Sequence, residues 1–262
     1  MASYKKKGYK KVRASQAHGD ESFVAKSFES VEDLTVKSEK FLERHQNKIF
    51  TGIVILALLV AGYYFYHQKV VIPKRAEAAN ALYPAQSFFE QAVDATDAQQ
   101  QKQLFEKALK GADGKYGLLD VIDEYGSTPS GNLAHYYAGL AYYHLGQFDK
   151  AVSELSKFKS HDDVLHPMAL GVIGDSFLQL NQPEDALEYY EKAAKASDNE
   201  FTTPMYLFKA GKVALDLYQA KKDDKYLTKA RKYMERIDKD YPKSIYAKDA
   251  KIYLAQAEYG KQ

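Results

Sequence analysis

The sequence contains no cysteine and no tryptophan among its 262 residues. The absence of cysteine excludes disulfide bonds, thiolate nucleophiles and metal sites built from thiolates. It does not fix the cellular compartment, because a cysteine-free domain suits an oxidising environment and is also tolerated in a reducing one. Tyrosine is abundant, with 22 residues, and supplies large amphipathic rings that can fill gaps between packed elements.

Sequence motifs of catalytic sites are also missing. No pair of histidines has the i, i+4 spacing and the neighbouring glutamate of a helical zinc protease, and there is no phosphate-binding glycine loop and no nucleophile elbow. His161 and His166, and the acidic pairs Asp162–Asp163 and Asp223–Asp224, fall in predicted turns, where solvated side chains are the simplest interpretation. We therefore expect no enzymatic activity, no cofactor, no metal and no small-molecule substrate.

The formal net charge of +2 is unevenly distributed along the chain. Residues 1–48 hold 11 Lys and Arg against 7 Asp and Glu, and the remainder holds 26 against 28. Neither part is basic enough to indicate binding of nucleic acid. We expect the partners to be proteins and one membrane.

One long segment, Ile49 to Tyr66, carries no charged side chain over 18 residues. A helix of this length rises about 27 Å at 1.5 Å per residue, close to the roughly 30 Å of a bilayer core. Lys48 and Lys69 lie near its two ends, and tyrosines cluster at its C-terminal end, as is typical of membrane boundaries. The segment is predicted to be a transmembrane signal anchor.

Two alternatives remain for this segment. A buried helix of a soluble core would carry more polar residues along one side. A cleaved signal peptide could use the small residues of Ala76 to Ala81, but the 48 residues before the apolar segment are too many for a signal-peptide n-region. Ala57 and Ala61 form a small-xxx-small pair that could mediate a membrane helix contact, although lipid-facing alanines are common.

The residues before the span divide into two predicted parts. Residues 1–28 are basic and without apolar period, which predicts a disordered cytoplasmic tail that orients the protein or attaches it to anionic lipid or RNA. Residues 29–48 repeat apolar side chains near helical spacing and predict an amphipathic juxtamembrane helix. Because the run from Lys5 to Arg13 adds six basic residues to the N-terminal side, a cytoplasmic N-terminus and an external C-terminal domain are favoured.

After the span, Pro73 is expected to break the helix, and residues 67–130 are predicted to form degenerate helical repeats. Beyond residue 130 the sequence repeats itself at a separation of 35 residues, with a third copy stretched by about seven residues in its turn. Small residues in this pattern allow close approach of two helices, and large residues fill the adjacent gap. The predicted repeat-packing positions are Gly139, Tyr142, Ala151, Gly174, Phe177, Ala186, Gly211 and Ala230.

A period near 34 residues, built as helix, turn and helix, resembles the tetratricopeptide repeat. Residues 131–262 are therefore predicted to hold such repeats and to end in a capping helix from Ser244 to Tyr259. The predicted fold is all-α, with a single N-terminal transmembrane helix followed by a tetratricopeptide-type α-solenoid.

The complete layout resembles the periplasmic ancillary-subunit family of the bacterial Sec translocon. This resemblance implies a single-pass protein of the bacterial inner membrane, with a cytoplasmic N-terminus and a periplasmic domain. Its expected partners are the translocon, chaperones or exported chains. Since repeats specify fold better than function, a structural scaffold in a cell-envelope assembly or secretion complex is the alternative.

In the register of the repeat, the first helix of each pair lines a concave surface. The side chains predicted on this surface are mainly aromatic and aliphatic, with a few polar ones, and such a surface suits an extended or helical peptide. The alternative is that Leu140, Leu178 and Phe208 pack within the superhelix. The predicted peptide-binding residues are Tyr136, Leu140, Tyr143, His144, Asp175, Leu178, Gln179, Phe208, Lys212 and Leu215.

Overall fold

A computed structural model of the chain describes residues 43–259. The predicted disordered tail, 1–28, and the first part of the predicted amphipathic helix, 29–42, lie outside this range. Between residues 43 and 259 the secondary structure is helical, apart from an isolated bridge between Ala112 and Lys115. The all-α prediction is therefore confirmed for the described part of the chain.

The chain divides into two units, with the boundary between Gln68 and Lys69. In the first unit, residues 43–66 form helix α1. The helix that contains them, Glu43–Asp94, is long and apolar enough to cross a membrane, by length and composition. The most apolar 18 consecutive residues of this helix are not buried by the rest of the protein. The core helix of a soluble protein, in contrast, is mostly buried.

The predicted end of this helix is wrong. The long helix is neither at the N-terminus nor limited to residues 49–66, because helical structure continues through a π-helix, His67–Val71, into α2, Ile72–Asp94. Pro73 lies in the first turn of α2 and does not break the helix. A proline has no backbone N–H to donate a hydrogen bond inside a helix. Here the π-helix before Pro73 has a different hydrogen-bond pattern, so the helix continues without that bond.

The second unit continues from α2 with helices joined by short turns. They are α3 Ala98–Lys110, α4 Leu118–Tyr125, α5 Pro129–His144, α6 Phe148–Lys157, α7 Leu165–Gln179, α8 Pro183–Ala196, α9 Thr202–Lys221, α10 Asp224–Asp240 and α11 Ala247–Tyr259. From α5 onward each helix packs mainly against the next, and α5, α7, α9 and α11 also contact one another in series. This is the packing expected of stacked helical pairs.

The region between the span and the repeats joins the same unit. Helices α2, α3 and α4 all contact α5. Their shared core contains Phe89 and Phe105, whose ring centroids lie 5.4 Å apart, together with Leu118 and Val121. The degenerate helices therefore stack on the first repeat and do not form a separate stalk.

Polar side chains fix where several of these helices begin. The Thr128 hydroxyl accepts a hydrogen bond from the backbone N–H of Gly131 at the start of α5 (3.1 Å), and Asp97 accepts one from Gln100 at the start of α3 (2.7 Å). These contacts satisfy amides that have no partner within the helix. The N-cap of α5 is therefore Thr128.

The predicted repeat-packing glycines lie where paired helices approach closely. A Cβ atom added to Gly139 would lie 2.4 Å from Leu155 Cγ, and one added to Gly211 would lie 2.4 Å from the terminal methyl of Met234. One added to Gly174 would meet the Tyr190 ring at 2.7 Å. The three alanines of the pattern, Ala151, Ala186 and Ala230, are fully buried. Phe177 packs against Tyr189, with ring centroids 5.3 Å apart, and Tyr142 is partly buried.

We predict that Gly139→Ala destabilises the protein more than Gly211→Ala does. The new methyl at 139 meets a branch point, Leu155 Cγ, and overpacking of this kind costs about 1–3 kcal/mol, against a helix-propensity gain of up to ~1 kcal/mol. At 211 it meets only the flexible end of Met234. Urea denaturation followed by circular dichroism measures both changes, and equal midpoints for the two variants would show that the contact at 139 is not close.

Candidate functional site

The ten predicted peptide-binding residues lie on the first helices α5, α7 and α9, and we call them the first-helix surface. Two of them do not belong to an accessible surface, because Tyr136 and Leu215 are only 6% and 8% exposed. Tyr136 packs against Phe158, with ring centroids 5.1 Å apart, in the core between α5, α6 and α7. The prediction that these two residues bind a peptide is corrected: both are core residues.

The other eight residues of the surface retain accessible area. Leu178 is 39% exposed, and His144, Gln179 and Lys212 are exposed as well. The four half-buried members of the surface are Leu140, Tyr143, Asp175 and Phe208.

His144 has a packing contact in addition to its exposed edge. Its ring stacks on that of Phe105 in α3, with centroids 4.8 Å apart and planes only 6° from parallel. Burial lowers the pKa of His144 below its usual value of 6.5, which favours the neutral ring in this stack. This residue therefore covers the core below α5 as well as bordering the surface.

Asp175 is the polar centre of the first-helix surface. Both of its carboxylate oxygens accept hydrogen bonds from the Lys209 ammonium, at 2.7 and 2.8 Å, and Oδ1 also accepts one from the Tyr190 hydroxyl at 2.5 Å. Lys209 lies 34 residues from Asp175, one repeat further along the chain. The charge of Asp175 is thus compensated within the protein and is not free to attract a cationic ligand.

Two buried tyrosines lie below this ion pair. Tyr190 and Tyr206 stack with ring centroids 6.4 Å apart, and burial together with the charge of Asp175 raises the pKa of each above its usual value. Both phenols therefore stay protonated. The Tyr206 ring occupies the space beside Gly171, where an added Cβ would lie 2.0 Å from the ring. Gly171 is a packing position that the repeat pattern did not reveal.

The far end of the surface is aromatic and includes the last helix. Phe208 packs against Tyr246 and Tyr253, with centroids 5.3 and 5.5 Å away, and the Lys212 ammonium lies 5.9 Å from the Phe208 ring centroid. Ile252 on α11 is 50% exposed.

Ala57 and Ala61 lie four residues apart on α1, and both are exposed. Within its described residues, 43–68, the first unit contains α1 and the first two residues of the π-helix, and no second helix that could pack against α1. A membrane helix contact through this pair therefore stays a prediction.

We predict that Asp175→Ala destabilises the protein by about 1–3 kcal/mol. Tyr190 is only 1% exposed, and the change removes the acceptor of its hydroxyl. A buried donor without an acceptor lowers the free energy of unfolding by about 1–3 kcal/mol. Glu188→Ala is the matched control, because it removes a carboxylate from an exposed i, i+4 pair with Lys192 and should leave the urea midpoint unchanged. If both variants unfold at the wild-type midpoint, the Asp175 cluster does not stabilise the fold.

Comparison with known proteins agrees with the helical pairing. The family model described as Tetratricopeptide repeat matches residues 133–162, which cover most of α5, all of α6 and the turn that follows. A search of curated proteins finds no match. Neither result links the chain to the Sec translocon. The matched pair, and its repetition in α7–α8 and α9–α10, support a tetratricopeptide-repeat protein, and such repeats generally mediate protein–protein interactions.

Proposed function

We propose that the chain is a membrane-anchored protein–protein interaction module that binds polypeptide segments on its first-helix surface. The observation that carries this proposal is the row of accessible apolar side chains on successive first helices, Leu140, Leu178 and Phe208. Ile252 is exposed on the next helix of the series, α11. Exposed apolar side chains grouped on one surface are typical of sites for protein partners. The module has no catalytic role in this proposal.

The chemistry of the surface favours an apolar segment. Asp175 is neutralised by Lys209, so the middle of the surface offers no free carboxylate. Leu178 and the aromatic group around Phe208 lie on neighbouring repeats, and each can bury one apolar side chain of a ligand. A helical or extended peptide presents such side chains at regular intervals and matches a row of sites of this kind.

The proposed location is the bacterial inner membrane, with a cytoplasmic N-terminus and a periplasmic repeat domain. The exposed apolar helix supports the anchor, and the basic residues of the N-terminal tail support the orientation. In this location the available polypeptide segments belong to the translocon, to chaperones or to exported chains. The protein would then act as an accessory of the Sec translocon or of a periplasmic chaperone network.

Photocrosslinking tests the binding surface. A photoreactive residue at Leu178 or Ile252 is expected to capture polypeptide partners in cells, and one at the exposed Lys192 on α8 should capture few. Adding Leu178→Asp should lower crosslinking by the photoreactive residue at Ile252 by about tenfold. The change removes one buried apolar contact and desolvates a charge, and together these weaken the binding free energy by more than ~1.4 kcal/mol. Equal capture from all three positions would place binding elsewhere.

Protease accessibility tests the orientation. A tag fused after Gln262 is expected to be digested in intact spheroplasts, while a tag placed before residue 1 should be protected until the membrane is permeabilised. The reverse pattern would place the repeat domain in the cytoplasm and would remove the translocon and chaperone roles together.

A further inference from the structure

A second candidate site lies away from the first-helix surface, between the second helices α8 and α10. It is a cavity of about 130 Å³ whose floor is formed by Ala194, Leu207 and Ala210. All three floor residues are at most 3% exposed. Since two of them are alanines, the helices leave a gap that larger side chains would have filled, and the gap has an apolar floor.

The walls of this cavity carry more positive than negative charge. Its one acid, Glu191, is already engaged by the Lys229 ammonium and by the Tyr233 hydroxyl, both at 2.6 Å. Arg236 also lines it and reaches Asp198 and Asp240 only at 3.5 Å, longer than a strong charge-assisted hydrogen bond. Its cationic donors are therefore only partly used.

Two lysines complete the wall and have no carboxylate partner in the part of the chain that the structure describes. Lys195 extends from the last turn of α8, and Lys232 from the facing side of α10. The negative end of the α8 dipole favours a lysine at position 195. The dipole does not provide a side-chain acceptor for the Lys195 ammonium. The cavity thus combines two available ammonium groups with an apolar floor.

We propose that this cavity binds a short aliphatic carboxylate. Its volume of about 130 Å³ suits a small ligand. An apolar cavity of about 150 Å³ binds benzene, and an acid of about five carbons is of similar size. The carboxylate would bridge Lys195 and Lys232, and the alkyl group would cover Ala210 and Leu207. A phosphate dianion fits less well, because it has no apolar part to cover the floor.

The cavity is independent of the first-helix surface, because its lining shares no residue with that surface. Its failure would therefore leave the proposed peptide binding intact.

A ligand titration tests the proposal, with the full chain in lipid nanodiscs and with empty nanodiscs as the blank. The probe is 3-methylbutanoate, followed by saturation-transfer NMR, and the neutral 3-methylbutanamide has nearly the same shape. We expect saturable binding of the acid and at least about fivefold weaker binding of the amide, because only the acid forms the two ion pairs.

Variants localise the binding. Replacing both lysines, Lys195→Gln with Lys232→Gln, should weaken acid binding by at least about fivefold, whereas Lys192→Gln on the same helix but outside the cavity should leave it unchanged. These lysines are exposed, so the fold should survive their replacement. Equal binding of acid and amide, an unaltered affinity in the double variant, or no saturation below about 50 mM would each overturn the proposal.

Discussion

The close approach of two helices at a glycine is the contact on which the rest of this structure depends. At Gly139, Gly174 and Gly211 the first helix of a pair has no side chain, and a larger residue of the second helix fills the space. The pairing fixes which side of each first helix faces its partner. The same pairing therefore determines which side of each first helix faces the other first helices. The proposed binding surface lies on these first helices.

Polar contacts between successive repeats add to this packing. Asp175 binds Lys209, Glu184 binds Lys221 and Glu191 binds Lys229, at separations of 34, 37 and 38 residues. Each separation is close to the repeat period, so every contact joins one repeat to the next. The pair of Glu184 and Lys221 is exposed and contributes little, but the carboxylate of Glu191 is only 15% exposed and favours a single register between α8 and α10.

The sequence predicted the helical pairs because their contacts recur at a fixed period. The same pattern could not predict the roles of Lys209 and Gly171. Each of these residues occurs in one repeat only, and no residue of the same type lies 35 positions away. The repeat register places Tyr136 on the surface because it gives only the direction of a side chain. The burial of Tyr136 depends on Phe158, which follows α6. A proline inside an α-helix predicts a break, but the sequence does not reveal the π-helix that precedes Pro73.

A double-mutant cycle between Gly139 and Leu155 tests the central claim most directly. If the glycine is required because the Leu155 side chain occupies its space, Gly139→Ala should be costly in the wild type and nearly neutral when Leu155 is replaced by alanine. The account predicts a coupling free energy of at least about 1 kcal/mol, as is found for residues in contact. Additive effects of the two changes would contradict it.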